Sequence, residues 1–332
     1  MRRRVITTVK KDESGIPVLN FLFKRYRFKD REQWRLALNE KKVLVNGSTT
    51  EISATLNPGD KVFYEAPEAP EPGVDTNIAV VYEDNFMIAV NKTGNLPCHP
   101  GGCYLENTLL HLLKDQLGNS NLHLVNRLDR ETSGVMLIAK DRSSAKILSN
   151  QFLLRKVSKF YSVVTEGDFP DKLNAAGWLM DDANSAIRKK RFFVNGEPDS
   201  PPQEKAEWAE TRFEIIHRSA GLSLINVELM TGRLHQIRAT LCSLGYPVVG
   251  DKIYGVDESI FIRFISDRLT EQDRIKLRLK RQALHARELH LLHPVTREPM
   301  LLKAALPDDM HALIAILSTP VTKNKKLKQP FS

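Results

Sequence analysis

The stretch HLVNRLDRETSGV, residues 123–135, combines residue types that can carry out chemistry. Asp129 lies between Arg127 and Arg130, and the small residues Thr-Ser-Gly follow at 132–134. A nearby cation lowers the pKa of a carboxylate, so the pattern predicts that Asp129 is an anion near neutral pH. An anion suits a nucleophile or an electrostatic stabiliser, whereas a general acid needs a raised pKa. The alternative is a structural arginine–aspartate pair that fixes a turn.

A second candidate is the stretch TGRLHQIRATL, residues 231–241. Leu234 and Ile237 are predicted to lie on one face of a helix, and Arg238 follows Leu234 by four residues, on the same side. An arginine at a core-facing position needs an anion, because an unpaired buried charge is strongly destabilising. We expect Asp129 to be that anion. The alternative is that Arg238 extends to solvent.

The third candidate is the strand-like segment KFYSVV, residues 159–164. Side chains alternate along a strand, so Tyr161 is predicted to face opposite to Phe160. One of these two aromatic residues is expected in the core, and the other could face a cleft.

These candidates must be positioned by the surrounding elements. Residues 78–318 mix short β-like segments with helical patterns, which predicts an α+β domain: a mostly antiparallel mixed sheet with flanking helices. The predicted strands are IAVVYED, FMIAVNK, GVMLIAK, KFYSVVTEG, RFEIIHR and LSLINVELM. The predicted helices cover 106–117, 141–155, 233–244 and 258–281, of which the last reads as a charged insertion at 256–282.

Residues 1–65 are predicted to form a small separate α/β unit. Apolar residues at helical spacing indicate two helices, with Asp30 as the N-cap of the second. VLVNG predicts a strand that enters a turn at Asn46 and Gly47. The unit carries basic residues that could contact RNA, or that could simply form a solvated helix face. Its candidate RNA-binding residues are Lys24, Arg25, Lys41 and Lys42.

Two further segments are predicted to lie outside the folded domains. Residues 66–77 contain APEAPEPG, which is typical of a stiff Pro-rich linker. Residues 319–332 contain TKNKKLKQPFS, which predicts a basic disordered tail.

The composition favours a cytoplasmic protein with a polyanionic partner. The 332 residues carry a formal net charge of +9, which is compatible with nucleic-acid binding. Three cysteines form no self-contained disulfide framework. No segment predicts a signal peptide or a membrane span.

The sequence predicts neither a metal site nor a nucleotide cofactor. CHPGGC, residues 98–103, lacks the second pair of ligands that a structural zinc site needs. No glycine motif for a nucleotide and no serine nucleophile elbow is present.

Five motifs together resemble, in order, those of RNA pseudouridine synthases of the RluA type, over residues 78–305. These motifs are NRLDRETSGV, KFYSVV, TGRLHQIRATL, YPVVGDKIYG and LHARELHLLHPVTREPM. The unit at 1–65 resembles a small RNA-binding domain first seen in a ribosomal protein. Position 126 departs from the pattern, because it holds Asn where the family usually has His.

The resemblance implies that the protein isomerises uridine to pseudouridine in structured RNA, without a cofactor. Asp129 would be the catalytic aspartate, Tyr161 the aromatic residue on the target base, and Arg238 the partner of the aspartate. Arg127 would occupy the space left by the flipped nucleotide. Further RNA contacts would come from Arg130, Arg233 and His235.

The implied partner is RNA, with ribosomal RNA slightly favoured over transfer RNA and a monomer expected. A catalytically silent RNA-binding protein that retains the fold is the alternative. A glycoside or nucleoside hydrolase would need a second carboxylate, with a raised pKa, within about 5–10 Å of Asp129.

Overall fold

The computed structural model describes residues 3–26, 29–66 and 71–318. The chain divides into two compact units, Met1–Pro70 and Glu71–Ser332. The second unit begins within the stretch 66–77 that the sequence predicts as a linker. The predicted tail at 319–332 lies outside the described residues.

The first unit contains two helices and a four-stranded antiparallel sheet in the order β1-β4-β2-β3. Asp30 caps the second helix by accepting the backbone N–H of Gln33 at 2.8 Å, as predicted. Asn46 and Gly47 both adopt positive φ angles, 52° and 85°, in the predicted turn. The elements are β1 Arg3–Thr8, α1 Val18–Arg25, α2 Arg31–Asn39, β2 Val43–Val45, β3 Ser48–Thr49 and β4 Lys61–Ala66.

The core of the first unit forms where the apolar faces of the helices meet the sheet. Trp34 is fully buried and contacts Tyr64 edge-to-face, with ring centroids 4.8 Å apart. The basic N-terminal segment forms strand β1, which the sequence patterns did not predict. It pairs with β4 along six residues.

The second unit is built on one eleven-stranded sheet. Its strand order is β11-β10-β12-β13-β9-β14-β8-β6-β5, with β15 paired to β14 and β7 paired to β8. Within the described residues, β8 and β14 form the single parallel pair, so the predicted α+β class with a mostly antiparallel sheet is confirmed. The strands are β5 Ala79–Glu83, β6 Met87–Lys92, β7 His123–Leu124, β8 Ser133–Ala139, β9 Ser158–Glu166, β10 Lys172–Asp181, β11 Arg191–Asn195, β12 Glu207–Ser219, β13 Leu222–Leu229, β14 Leu284–Leu292 and β15 Pro299–Lys303.

Six helices flank this sheet in the described part of the chain. Thr108 and Asp141 cap the first two by accepting backbone N–H groups. The predicted helix at 233–244 starts later, at Gln236, and the predicted helix at 258–281 is two short helices. The helices are α3 Leu109–Leu117, α4 Arg142–Leu153, α5 Gln236–Ser243, α6 Ser259–Ile265, α7 Glu271–Leu277 and α8 Asp308–Ser318.

The central strands bring the candidate residues to one place. The Asp129 turn leads directly into β8, and Gly134 in that strand has φ 120°. A Cβ atom there would overlap the backbone of Ala286 on β14. Glycine therefore allows β8 and β14 to approach closely beneath the turn. None of the described helices has the length and apolar character needed to cross a membrane.

Candidate active site

Asp129 lies in the turn between β7 and β8 with its side chain partly exposed. The backbone N–H of Thr132 donates to the Asp129 carbonyl at 3.1 Å and closes the turn. The Asp129 side chain remains 29% exposed and lines a cleft of about 890 Å³. A carboxylate in this position is accessible to a ligand.

Arg238 bridges Asp129 to a second, fully buried carboxylate. Its Nη1 donates to Asp129 Oδ2 at 2.7 Å, which is the pairing predicted from the sequence. Its Nε and Nη2 donate to Asp251 Oδ2 and Oδ1 at 2.6 and 2.9 Å. Asp251 also accepts the backbone N–H groups of Ile253 and Tyr254. Asp251 thus fixes the guanidinium that holds Asp129.

The sequence predicted that Arg238 is buried because it follows Leu234 by four residues on one helix face, and that reason is wrong. Leu234 precedes α5 and is 46% exposed at the cleft. Arg238 is buried because two carboxylates neutralise it, and its spacing from Leu234 plays no part.

The electrostatic surroundings keep Asp129 ionised. Burial acts to raise the pKa of Asp129, but the charge and hydrogen bond of Arg238 outweigh it, so the pKa lies below its usual range. The pKa of Asp251 is lowered in the same way, with burial opposed by Arg238. Both carboxylates are therefore anions near neutral pH.

The cation that acts on Asp129 does not come from its sequence neighbours. Arg130 pairs with Glu131 at 3.0 Å and donates to the Tyr104 hydroxyl at 2.9 Å. Arg127 is exposed and lines the cleft. The expectation that these two arginines lower the pKa of Asp129 is wrong, because Arg238 does so instead.

His235 faces the other oxygen of Asp129. Its Nε2 lies 3.8 Å from Asp129 Oδ1, and its Nδ1 lies 2.9 Å from the Tyr254 hydroxyl. That hydroxyl accepts the backbone N–H of Arg191, so it is free to donate to Nδ1 and leave the histidine proton on Nε2. Burial and the charge of Arg238 lower the pKa of His235 to about 4, so the imidazole is neutral.

Tyr161 forms part of the cleft wall. It lies on β9, is 8% exposed and lines the cleft with apolar neighbours such as Leu229 and Leu284. Phe160 points to the other face, where its ring lies 5.0 Å from that of His290. The alternation predicted for these two aromatic residues is present.

The predicted RNA-binding residues fall into two groups. Arg127, Arg233 and His235 line the cleft, whereas Arg130 does not. In the first unit Lys24 and Lys41 are exposed, while Arg25 pairs with Glu13 at 2.7 Å and Lys42 pairs with Glu40 at 2.5 Å. The side chain of Asn126, the departure from the family pattern, accepts the backbone N–H of Leu137 at 2.8 Å.

Sequence reasoning missed three residues at or below the cleft. Asp251 occurs in the motif YPVVGDKIYG, but nothing in that motif indicates that Asp251 pairs with Arg238. Lys92 is fully buried and donates to the carbonyls of Thr93, Leu96 and Arg130 at 2.7, 3.0 and 3.1 Å. Lys159 shares the cleft-facing side of β9 with Tyr161, which its i, i+2 spacing could have indicated.

Asp129 is the single carboxylate among the described residues that line the cleft. A hydrolase would need a second carboxylate there with a raised pKa. The neighbouring Asp251 has a lowered pKa and no exposed side-chain surface. The site therefore fits one-carboxylate chemistry.

Comparisons with known proteins show which family this chain resembles. The family model for RNA pseudouridylate synthase matches residues 86–243. A ribosomal large subunit pseudouridine synthase D from Blochmanniella floridana is 32% identical over 90% of this chain and 93% of its own. A mitochondrial tRNA pseudouridine(32) synthase from Saccharomyces cerevisiae is 28% identical over 73% of this chain and 51% of its own.

A solved structure has the same fold. Human RNA pseudouridylate synthase domain containing 4 aligns with a TM-score of 0.54 and 25% identity, over 72% of this chain and 92% of its own. The relative from Blochmanniella matches nearly the whole of both chains, at an identity that is high enough to show common family membership. The chain therefore belongs to the RNA pseudouridine synthases, and it is of the RluA type that the five motifs indicated.

Proposed function

We propose that this chain isomerises uridine to pseudouridine in ribosomal RNA, with Asp129 as the nucleophile. The observation that carries the proposal is a single ionised carboxylate, held by a buried arginine, at the wall of a cleft. An ionised carboxylate next to a sugar can form a covalent intermediate at the anomeric carbon.

In the proposed reaction, Asp129 attacks C1′ of the ribose as the bond from C1′ to N1 breaks. The detached uracil turns, and its C5 forms a bond to C1′ as the bond to the carboxylate breaks. C5 loses a proton and N1 gains one, so atoms and electrons balance without an oxidant or reductant. Arg238 keeps one Asp129 oxygen in place throughout, and it stabilises the carboxylate anion before the attack and after the release.

Tyr161 is proposed to hold the target base. A uridine inside a helix is out of reach of a carboxylate, so it must be extruded, which costs a few kcal/mol. Stacking of a base on an aromatic ring contributes about 1–3 kcal/mol and offsets part of this cost. The cleft volume of about 890 Å³ is large enough for a nucleoside.

We propose ribosomal RNA as the substrate on the basis of how far each relative matches this chain. The Blochmanniella relative, named for the large ribosomal subunit, matches 90% of this chain, whereas the transfer RNA enzyme matches only about half of its own length. The first unit adds exposed Lys24 and Lys41, which we propose contact RNA phosphates.

A monomer is proposed to be sufficient, because the residues gathered at Asp129 all come from one chain. Its three cysteines are free thiols, which is usual in the cytoplasm, where we place the protein. Light scattering at the assay concentration tests the monomer.

The decisive experiment compares the parent protein with Asp129→Asn on cellular RNA. We expect the parent to form pseudouridine and Asp129→Asn to form none, while RNA binding is retained. Asp199→Asn, an exposed carboxylate elsewhere, is the matched control and should behave as the parent. Pseudouridine mapping gives the readout, and equal activity of Asp129→Asn would exclude Asp129 as the nucleophile.

A catalytically silent RNA-binding protein would also bind RNA, so a binding assay cannot distinguish it from an active enzyme. RNA that carries 5-fluorouridine separates the two functions, because we expect a long-lived adduct with the parent and none with Asp129→Asn. Failure of the parent to form any adduct or product would favour the silent protein.

A further inference from the structure

Lys159 is a buried cation in the cleft with no partner among the described residues. Its side chain is 8% exposed and lines the same cleft as Asp129. It lies two residues before Tyr161 on β9, so both side chains emerge on the same face, about 7 Å apart along the strand. Within the described ranges, no carboxylate pairs with Lys159 and no acceptor hydrogen-bonds it.

The surroundings of Lys159 make this arrangement unfavourable in the free protein. Phe152 and Leu289 are apolar neighbours along the cleft wall. The charge that acts on Lys159 is that of Arg155, which is also a cation. Burial and the charge of Arg155 lower the pKa of Lys159. A buried ammonium normally has a carboxylate or several carbonyls as partners, as Lys92 does.

The other cations of the cleft wall are either engaged or freely solvated. Arg238 holds two carboxylates. Arg233 donates to the Trp208 carbonyl at 3.1 Å and lies 3.7 Å from Glu207. Arg127 is exposed. Lys159 is thus a largely buried cation whose ammonium reaches the cleft without a partner among the described residues, where a ligand can supply one.

We infer that Lys159 and Arg155 form a subsite for an RNA phosphodiester next to the target uridine. The inference rests on the proposed function, in which the base of that uridine stacks on Tyr161. A phosphodiester, with its single negative charge, would offset the repulsion between the two cations and accept hydrogen bonds from Lys159 and from the guanidinium of Arg155. The subsite would fix the position of the strand relative to Asp129.

The test measures RNA affinity as a function of salt for Lys159→Met, which removes the ammonium and retains most of the side-chain volume. The probe is a transcribed fragment of large-subunit ribosomal RNA. We expect binding about tenfold weaker, because a hydrogen-bonded charge pair is lost. The slope of log affinity against log salt should fall by about 0.7–0.9, the value for one phosphate contact. Arg155→Ala should act in the same direction.

Lys146→Met is the matched control, because Lys146 is exposed on α4 and does not line the cleft. It should leave affinity and salt slope unchanged. The melting temperature of Lys159→Met should equal or exceed that of the parent, since the substitution removes an unpaired buried charge. A lower melting temperature with an unchanged salt slope would show a structural lysine and overturn the inference.

A chemical change in the RNA locates the contact. One phosphate next to the converted uridine is replaced by a neutral methylphosphonate. We expect this RNA to bind the parent protein more weakly than unmodified RNA does, whereas Lys159→Met should bind both RNAs equally. Additive losses at both flanking positions would overturn the assignment. If the parent converts no uridine but Lys159→Met still lowers the salt slope, the proposed function fails and the phosphate subsite stands.

Discussion

At the residue scale, the central feature is an arginine shared between an exposed and a buried carboxylate. Asp251 has no exposed side-chain surface, so its pairing with Arg238 is protected from solvent. This fixed pairing leaves one guanidinium nitrogen, Nη1, for Asp129. The orientation of Asp129 is therefore set by a group that is itself anchored in the core.

We predict that Arg238→Ala is inactive and less stable by about 3–5 kcal/mol, because it leaves Asp251 buried without its cation. Chemical denaturation and single-turnover pseudouridine formation measure the two effects. Arg212→Ala is the control, since Arg212 is 52% exposed and pairs with Glu228 on the surface. Unchanged stability of Arg238→Ala would contradict the buried bridge.

The pH dependence of the rate follows from the same group of residues. The lowered pKa of Asp129 keeps it anionic, and the pKa of His235, about 4, keeps the imidazole neutral. Neither group changes protonation between pH 8 and about 5, so we predict a flat single-turnover rate there and a decline as pH falls through 4. A decline centred near pH 6.5 that disappears in His235→Asn would show that His235 titrates normally.

At the element scale, the site depends on the close approach of β8 to β14. Gly134 lies where any side chain would meet the backbone of Ala286. Beside it, Glu131 and Lys252 form an ion pair at 2.9 Å that joins the Asp129 turn to the segment carrying Asp251. The C-terminal side of the turn is thus held by two contacts with residues distant in sequence.

We predict that Gly134→Ala destabilises the protein by about 2 kcal/mol or more, because it adds both backbone strain and overlap between two strands. Gly101→Ala is the control, since a Cβ at Gly101 meets no atom within 4 Å and its φ is not in the left-handed region. Urea unfolding gives the comparison. Equal stability of the two variants would show that the strands can separate without cost.

Local patterns were sufficient for six strands of the second unit and for part of the site, whereas β7, β10, β11, β14 and β15 were not predicted. The cap at Asp30, the turn at Asn46 and the opposite orientations of Phe160 and Tyr161 follow from neighbouring residues. The pairing of Arg238 with Asp129 was predicted from the need of a buried arginine for an anion, but the second partner, Asp251, was not, because nothing in its local sequence indicates that role. Likewise, the sequence places Arg130 next to Asp129, but in the structure Arg130 pairs with Glu131 and Tyr104, a choice of partners that residue types alone do not determine.

At the scale of the whole molecule, each unit has its own hydrophobic core. Trp34, Leu22 and Val62 belong to the core of the first unit. The other three cores contain residues of the second unit alone, among the described side chains. Each unit therefore has the apolar interior that an independent fold needs.

We predict that residues 71–332 alone fold and convert uridine, but bind RNA about tenfold or more weakly, because they lack the basic first unit. We expect residues 71–332 to unfold in the same thermal transition as the second unit of the full chain. We also expect a raised KM for RNA and a nearly unchanged kcat. A truncated chain that folds but is inactive at saturating RNA would assign the first unit a direct part in catalysis.

The bridge through Arg238 also has a consequence for synthesis on the ribosome. A growing chain contains Asp129 long before it contains Asp251, which follows 122 residues later. Until that later segment has emerged, Asp129 has no oriented cation and is an ordinary solvated carboxylate. The oriented form of Asp129 therefore cannot exist in a nascent chain until Arg238 and Asp251 have both emerged from the ribosome.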